Sequence, residues 1–363
     1  MKKYILLFVA WVSVIFLVCQ ETRGQDPNFT QFFNTPTYYN PAFTGLNTGL
    51  RARLTYRNQW PNLPASFKSY FFSTDIGDRN LPGSGGLGLI VNSDNQGVGF
   101  IRNLSMGLNL GVRIPLSEYV ISQVGIRASI VQKSVNWDDF VFTDQLNEKY
   151  GNIYTSAFQK PDNNKKVFPD FGFGGLIQFS NEASRYYGTA GVSLDHVFEP
   201  DEGFLTTGKS PLPRKWVAHT DFIITTGEDA GYSSGARGAG DPLKLNPGII
   251  YQEQDGLSTL QAGMNLLKYN VYLGAWYKAA MGTNGSNILA LVAGYRYQFS
   301  DDMSIKFMYS YDLQIAGPAG GTGGAHEISL ILDFNKMTLF GGGRNGGNYA
   351  AHKRYSPIEC SSF

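Results

Sequence analysis

The feature that most constrains this chain is the stretch His326–Phe334, His-Glu-Ile-Ser-Leu-Ile-Leu-Asp-Phe. Ile328, Leu330, Leu332 and Phe334 fall on one face of an extended strand, and Glu327, Ser329 and Asp333 on the other. Side chains alternate across a strand, so a period of two with one apolar and one mostly polar face suits a wall between lipid and water. Met303–Asp312 repeats it: Met303, Ile305, Phe307, Tyr309 and Tyr311 alternate with Ser304, Lys306, Met308, Ser310 and Asp312. A soluble sandwich can supply one such strand, so the test is whether the rest of the chain follows suit.

It does. Further strands are predicted around Leu50–Arg57, Ser66–Asp75, Gly85–Asn92, Ser105–Ile114, Val124–Ile130, Phe171–Ser180, Tyr186–Phe198, Lys215–Thr226, Lys244–Gln254, Leu257–Lys268, Asn270–Lys278 and Ile288–Phe299. The count is about fourteen, an even number as in bacterial single-chain barrels. The expected fold is all-β: a transmembrane antiparallel β-barrel over residues 49–334. Composition agrees. Charged residues make up 16% of the chain, against about 25% in ordinary soluble domains, and aromatic residues 14%. No apolar run after the first residues is long enough for a membrane helix. A net charge of +1 gives no reason to expect a nucleic-acid partner.

The N-terminus indicates the route to the membrane. Lys2 and Lys3 precede the apolar run Ile5–Cys19 and a polar stretch ending Thr22-Arg23-Gly24. This is the layout of a secretory signal peptide over residues 1–24, with cleavage expected at Gly24–Gln25. A lipidated Cys19 is the lesser alternative, since Val18 stands where a small residue is expected. Cleavage leaves Cys360 alone, so no internal disulfide is expected.

Both chain ends of such a barrel face the periplasm, with short turns there and longer loops outside. Threading from that start puts Ser117–Tyr119, Asn181–Ser184, Lys268–Asn270 and Ser300–Asp302 inside. Ser134–Pro169, Pro200–Pro213, Ala280–Ser286 and Gln314–Ala325 fall outside. The long Gly227–Pro242 lands among the short turns, as an insertion or as a local error in the strand count. Residues 25–48 have no period and are read as a segment that lines or plugs the lumen. Residues 335–363 are read as a periplasmic tail.

Motifs for chemistry are few. Gly203–Ser210 has phosphate-loop spacing, but Pro211 and Pro213 block the helix such a loop needs. His196, His219, His326 and His352 form no metal-ligand pattern, and no nucleophile elbow is present. No enzyme activity, metal or cofactor is expected. The inward charges need a role: Arg51, Arg53, Arg57, Arg113, Arg127, Arg296 and Lys306 share a side of the wall with Asp312, Glu327 and Asp333. A lumen network that balances charge and holds the N-terminal segment is favoured over a basic-lined anion pore. Glycines in the early strands permit bending or close backbone approach.

Particular residues resemble the PorP/SprF family of the type IX secretion system of Bacteroidetes outer membranes. They are Gln25–Gln31 followed by Tyr38-Tyr39-Asn40-Pro41-Ala42, then Asp138–Gln145, Phe168–Gly174 and Leu212–Arg214. Tyr309–Asp312, Gly324–Leu330 and the ending Ile358–Phe363 complete the match. The resemblance implies a barrel related to fatty-acid transporters and no enzymatic activity. It also implies a role in export or surface anchoring of a secreted, adhesin-like partner with a C-terminal sorting domain, including partners used in gliding. Periplasmic lipoproteins or secretion-ring components, and outer-membrane lipid, are the other implied partners. Trp137, Phe140, Phe142 and Phe204 are candidate contacts for the secreted partner, or else girdle and loop-ordering residues. The competing reading is an outer-membrane channel for small hydrophobic or anionic solutes.

Overall fold

A computed structural model describes residues 26–337 except 65, 79–84, 98–100, 162, 182–184, 205–207, 227–241, 282–285, 301, 317–320 and 336. The expected signal peptide, most of the tail and most of Gly227–Pro242 therefore lie outside the described residues. The first strands are β1 (Gly49–Gln59), β2 (Phe67–Gly77), β3 (Gly86–Gln96), β4 (Ile101–Pro115), β5 (Val120–Val135), β6 (Lys165–Ser180) and β7 (Tyr186–Asp195). They continue as β8 (Lys215–Thr226), β9 (Leu243–Gln254), β10 (Leu257–Lys268), β11 (Val271–Met281), β12 (Asn287–Ser300), β13 (Met303–Ala316) and β14 (Ala325–Phe334). Each pairs antiparallel with the next, and β14 closes onto β1 with Leu50 opposite Phe334 and Gln59 opposite Ala325. Closure pairs every edge, which is what lets strands cross a membrane. β8 pairs directly with β9 from Thr226–Leu243 to Lys215–Gln254, so strand parity is kept through the long connection.

The alternation read from the sequence is the alternation of burial. In β13, Ser304, Lys306, Met308, Ser310 and Asp312 are buried, while Phe307 and Tyr309 are exposed on the outer face. Several bounds differ: the strand expected at Tyr186–Phe198 stops at Asp195, others run longer than expected, and the outer loop expected at Ser134–Pro169 spans only 136–164. β5 and β6 run on to Val135 and from Lys165, with Ile130 opposite Pro169. Pro169 reads as a strand breaker, yet its side chain points outward and its neighbours keep the ladder. Each of these strands has 16 residues. At about 3.3 Å per residue that is roughly 50 Å along the strand, more than a tilted crossing needs. The β5–β6 hairpin therefore rises above the bilayer and carries its loop as a raised platform.

Residues 26–48 occupy the barrel interior. Phe29, Thr30, Gln31, Thr35, Tyr39, Asn40, Ala42 and Thr44 are fully buried there. The segment holds only a helical turn, Pro36–Tyr39, and a 3-10 turn, Pro41–Phe43.

Candidate functional site

The lumen is built by side chains from the wall reaching a segment with little regular structure of its own. The start of that segment is bound by its middle. Tyr38 Oη donates to the Pro27 carbonyl at 2.7 Å, Tyr39 Oη donates to the Phe29 carbonyl at 2.8 Å, and the Phe29 amide donates to Tyr39 Oη at 2.7 Å. Tyr38 meets Phe29 and Phe71 edge-on beside them, an arrangement that favours ring quadrupoles, and Phe29 and Phe71 lie tilted against each other. Phe32 meets Trp276 edge-on at 5.1 Å, and Phe33 stacks on it at 5.6 Å.

Around the descending turn the wall supplies charge. Glu327 accepts the Thr30 and Gln31 amides at 2.8 and 2.9 Å, and Arg57 at 3.0 Å. Arg57 also binds Asp312 at 2.7 Å and donates to Thr30 Oγ1 at 2.9 Å. Lys278 donates to the same hydroxyl at 3.2 Å, and Gln261 donates to the Thr30 carbonyl at 2.6 Å. On the far wall Arg127 pairs with Asp195 at 3.0 Å and donates to the Thr37 and Tyr38 carbonyls. Near the mouth that carries the long loops, Asp26 lies 2.9 Å from His196 and 3.4 Å from Lys215. Lower down, Arg51 pairs with Asp333 and Arg53 with Asp75. Lys306 and Arg296 lie 5.4 and 5.7 Å from the Tyr272 ring. Arg113 is half-buried near the end of β4 and faces Gln123 in register.

The third anchor is a row of glycines. Gly77, Gly86, Gly111, Gly125 and Gly174 are paired in register across β2 to β6. Residues 40–47 run across these strands on the inner face. A Cβ at any of the five would come closer than 3 Å to that segment. Asn40 fixes the start: its Oδ1 accepts the Ala42 amide at 2.9 Å, and its Nδ2 donates to the Gly175 and Val192 carbonyls at 3.2 Å. The Tyr38–Ala42 motif thus has a physical role, closing the hairpin on one side and seating the chain on the wall on the other.

Above the barrel, Trp137, Phe140, Phe142 and Phe204 form one aromatic cluster with Phe158. Trp137 lies 5.8 Å from Phe140 and Phe158 and 6.0 Å from Phe204, and Phe142 lies 4.7 Å from Phe158. Val141, Leu146, Tyr150, Ile153 and Tyr154 around it are exposed. The loops are braced by acceptor side chains. The Ala157 amide, and then Ser156, hold the Asp144 carboxyl below its usual range. The Ser210 amide, with Lys166 and the Gly203 amide, holds Asp201 down to about 2. The Gly203–Ser210 segment is thus a braced loop, and it forms no helix among its described residues.

Sequence reading missed Lys278, Asp75, Asp195, Lys215, His196 and Asp26. Lys278 and Asp75 carry a signal, being in predicted strands at inward parity with Trp276 and Ser73. Asp26 lies outside any period, and His196, expected within the strand Tyr186–Phe198, stands just past the end of β7 and out of its alternation.

The fold and its filled lumen define an outer-membrane β-barrel whose interior is occupied by its own N-terminal segment. Residues 21–332 match the family model described as type IX secretion system membrane protein PorP/SprF. The chain belongs to that family, which is a non-enzymatic kind of outer-membrane barrel. A comparison with curated proteins gives no match. Among solved structures, a Pseudomonas aeruginosa FadL homologue aligns at 12% identity and TM-score 0.45, over 83% of this chain and 94% of that one. CdiB from Acinetobacter baumannii aligns at 10% and 0.42, over 79% of this chain and 60% of CdiB, so the chain spans well under the full length of CdiB. Omp33 from Acinetobacter baumannii aligns at 7% and 0.37, over 80% and 99%.

Proposed function

We propose that this type IX barrel helps export or anchor a secreted surface protein by binding that protein's C-terminal domain on its outer loops. The aromatic cluster of Trp137, Phe140, Phe142, Phe158 and Phe204 carries this reading. Half-buried aromatic anchors ringed by exposed apolar residues are the composition of interaction hot spots, and the braced loops present them at low ordering cost. The platform stands on the extended β5–β6 hairpin, clear of the lipid. A lumen filled by residues 26–48 supports anchoring over passage of a folded partner through this barrel. The partner is an adhesin-like protein of the gliding or attachment kind, with a periplasmic lipoprotein or secretion-ring component on the opposite face. Residues 1–24 act as the signal peptide. Deleting Val141–Lys160 is expected to leave a heat-modifiable barrel while abolishing surface display of the partner, identified by detergent pull-down and mass spectrometry. Unchanged display in the deletion strain overturns the assignment.

A further inference from the structure

Beneath the turn of the plug the lumen keeps a chamber of about 110 Å³. That is room for about four waters at liquid density, or for one long side chain. Phe32, Phe33 and Asn34 form its roof, and Phe43 and Leu46 one side. Its walls come from the strand ends nearest the start of β1 and the end of β14: Arg51, Lys306 and Asp333 on one side, Asp221, Thr189 and Asn246 on the other. It therefore faces the end of the barrel where β1 begins, β14 ends and most connections are short turns, the periplasmic end of such barrels.

The two sides differ in charge. Arg51 and Arg53 are already paired with Asp333 and Asp75, and the Lys306 ammonium lies against the Tyr272 ring. Asp221 makes no hydrogen bond or ion pair among the described residues, and its register partners are the uncharged Thr189 and Gly248. Asn34 is 1% exposed, and its Oδ1, unlike its Nδ2, has no partner among the described residues. A half-buried carboxylate without a partner and a buried amide oxygen left as an acceptor both call for a donor. Phe33, Phe43 and Ile223 line the same space and suit an aliphatic stem.

We propose that this chamber takes the side chain of a lysine or arginine, presented by a polypeptide at the periplasmic face. The ammonium or guanidinium donates to Asp221 and Asn34 Oδ1, and the stem lies along Phe33, Phe43 and Ile223. An anion is disfavoured because the chamber's arginines are already satisfied. The site is independent of the outer loops, so it stands or falls separately from partner display.

The test titrates the purified full-length barrel in detergent with N-acetyl-arginine amide and N-acetyl-lysine amide, with N-acetyl-glutamine amide as the neutral analogue. Calorimetry gives affinity, and the emission of Trp276, which stacks on Phe33, reports filling. Saturable binding of both cations, at least tenfold tighter than the glutamine analogue, is expected. Asp221→Asn is expected to weaken it tenfold or more, with heat-modifiability showing that the barrel is folded. Should that variant not fold, Asn34→Ala, which keeps every charge, is expected to weaken binding several-fold. Equal binding of the glutamine analogue, or unchanged affinity in the folded variants, overturns the proposal.

Discussion

Burying a carboxylate is costly unless donors surround it, and Glu327 draws its donors from two sources. Arg57 comes from the neighbouring strand, and the Thr30 and Gln31 amides come from the plug. The plug thus completes a charge site that the wall alone leaves short, and the wall in turn satisfies amides that have no secondary structure to pair in. His196 plays the same part at the outer mouth, with a pH dependence. Burial pushes its imidazolium down, but Asp26 first and Asp170 with it outweigh burial, and the group is pushed up to about 10. Its Nδ1 lies 3.0 Å from Asp170 Oδ2, an ion pair by distance without a well-directed hydrogen bond. A raised value means the folded state holds the proton more tightly. The stabilisation is therefore full below the unfolded value of about 6.5 and is lost as pH rises through about 10. Urea midpoints of the refolded barrel are expected to be lower for His196→Gln than for wild type at pH 6, with the gap closing by pH 10. A gap that does not change with pH refutes this account of the mouth.

At the scale of elements, the glycine row decides how the second half of the plug is seated. Gly125 faces inward, where a Cβ would meet the backbone of Pro41 and Ala42. Gly175 on β6 follows Gly125's register partner Gly174, and its surroundings are open: a Cβ there would meet nothing within 4 Å. Gly125→Val is expected to cost about 1–3 kcal/mol by overpacking, or to expel residues 40–45 from the wall, while Gly175→Ala stays within about 0.5 kcal/mol. Urea midpoints, with protease cleavage at residues 40–45, check the contrast; equal effects at the two positions contradict it. The strands themselves were legible because period two survives in most of them, β7 with Tyr187, Gly188 and Thr189 buried in a row being an exception, and parity carried the count across Gly227–Pro242. The role of the plug was not legible. Its residues have no period, because they are held by Glu327, Arg57, Gln261 and Asn40 and not by a ladder. Trp276 was hidden for a related reason. It is apolar yet inward-facing, since the plug brings Phe32 and Phe33 to pack against it. Reading inward as polar fails wherever the lumen is filled with protein.

For the whole molecule, that filling favours the proposed anchoring role over a solute channel. A porin keeps its lumen wet, whereas here fourteen strands close around aromatic packing and buried ion pairs. Passage of solute requires residues 26–34 to leave, which exposes Glu327 and Asp312 without their plug donors and separates Phe32 and Phe33 from Trp276. Each such loss costs about 1–3 kcal/mol, so the open state is sparsely populated without a ligand that favours it. The second half of the plug has a different hold, on backbone and glycine, and the two halves are separable by mutation. Wild-type barrel in planar bilayers is therefore expected to be silent. Replacing residues 27–34 by a Gly-Ser stretch of equal length removes the donors and the aromatics while leaving Asn40–Asn47 on its furrow. That variant is expected to show steady conductance through the space between β1, β11 and β14, where Arg57, Lys278 and Glu327 then line water. Steady conductance of the wild-type barrel at low voltage sinks the plug as a seal and returns the channel reading to first place.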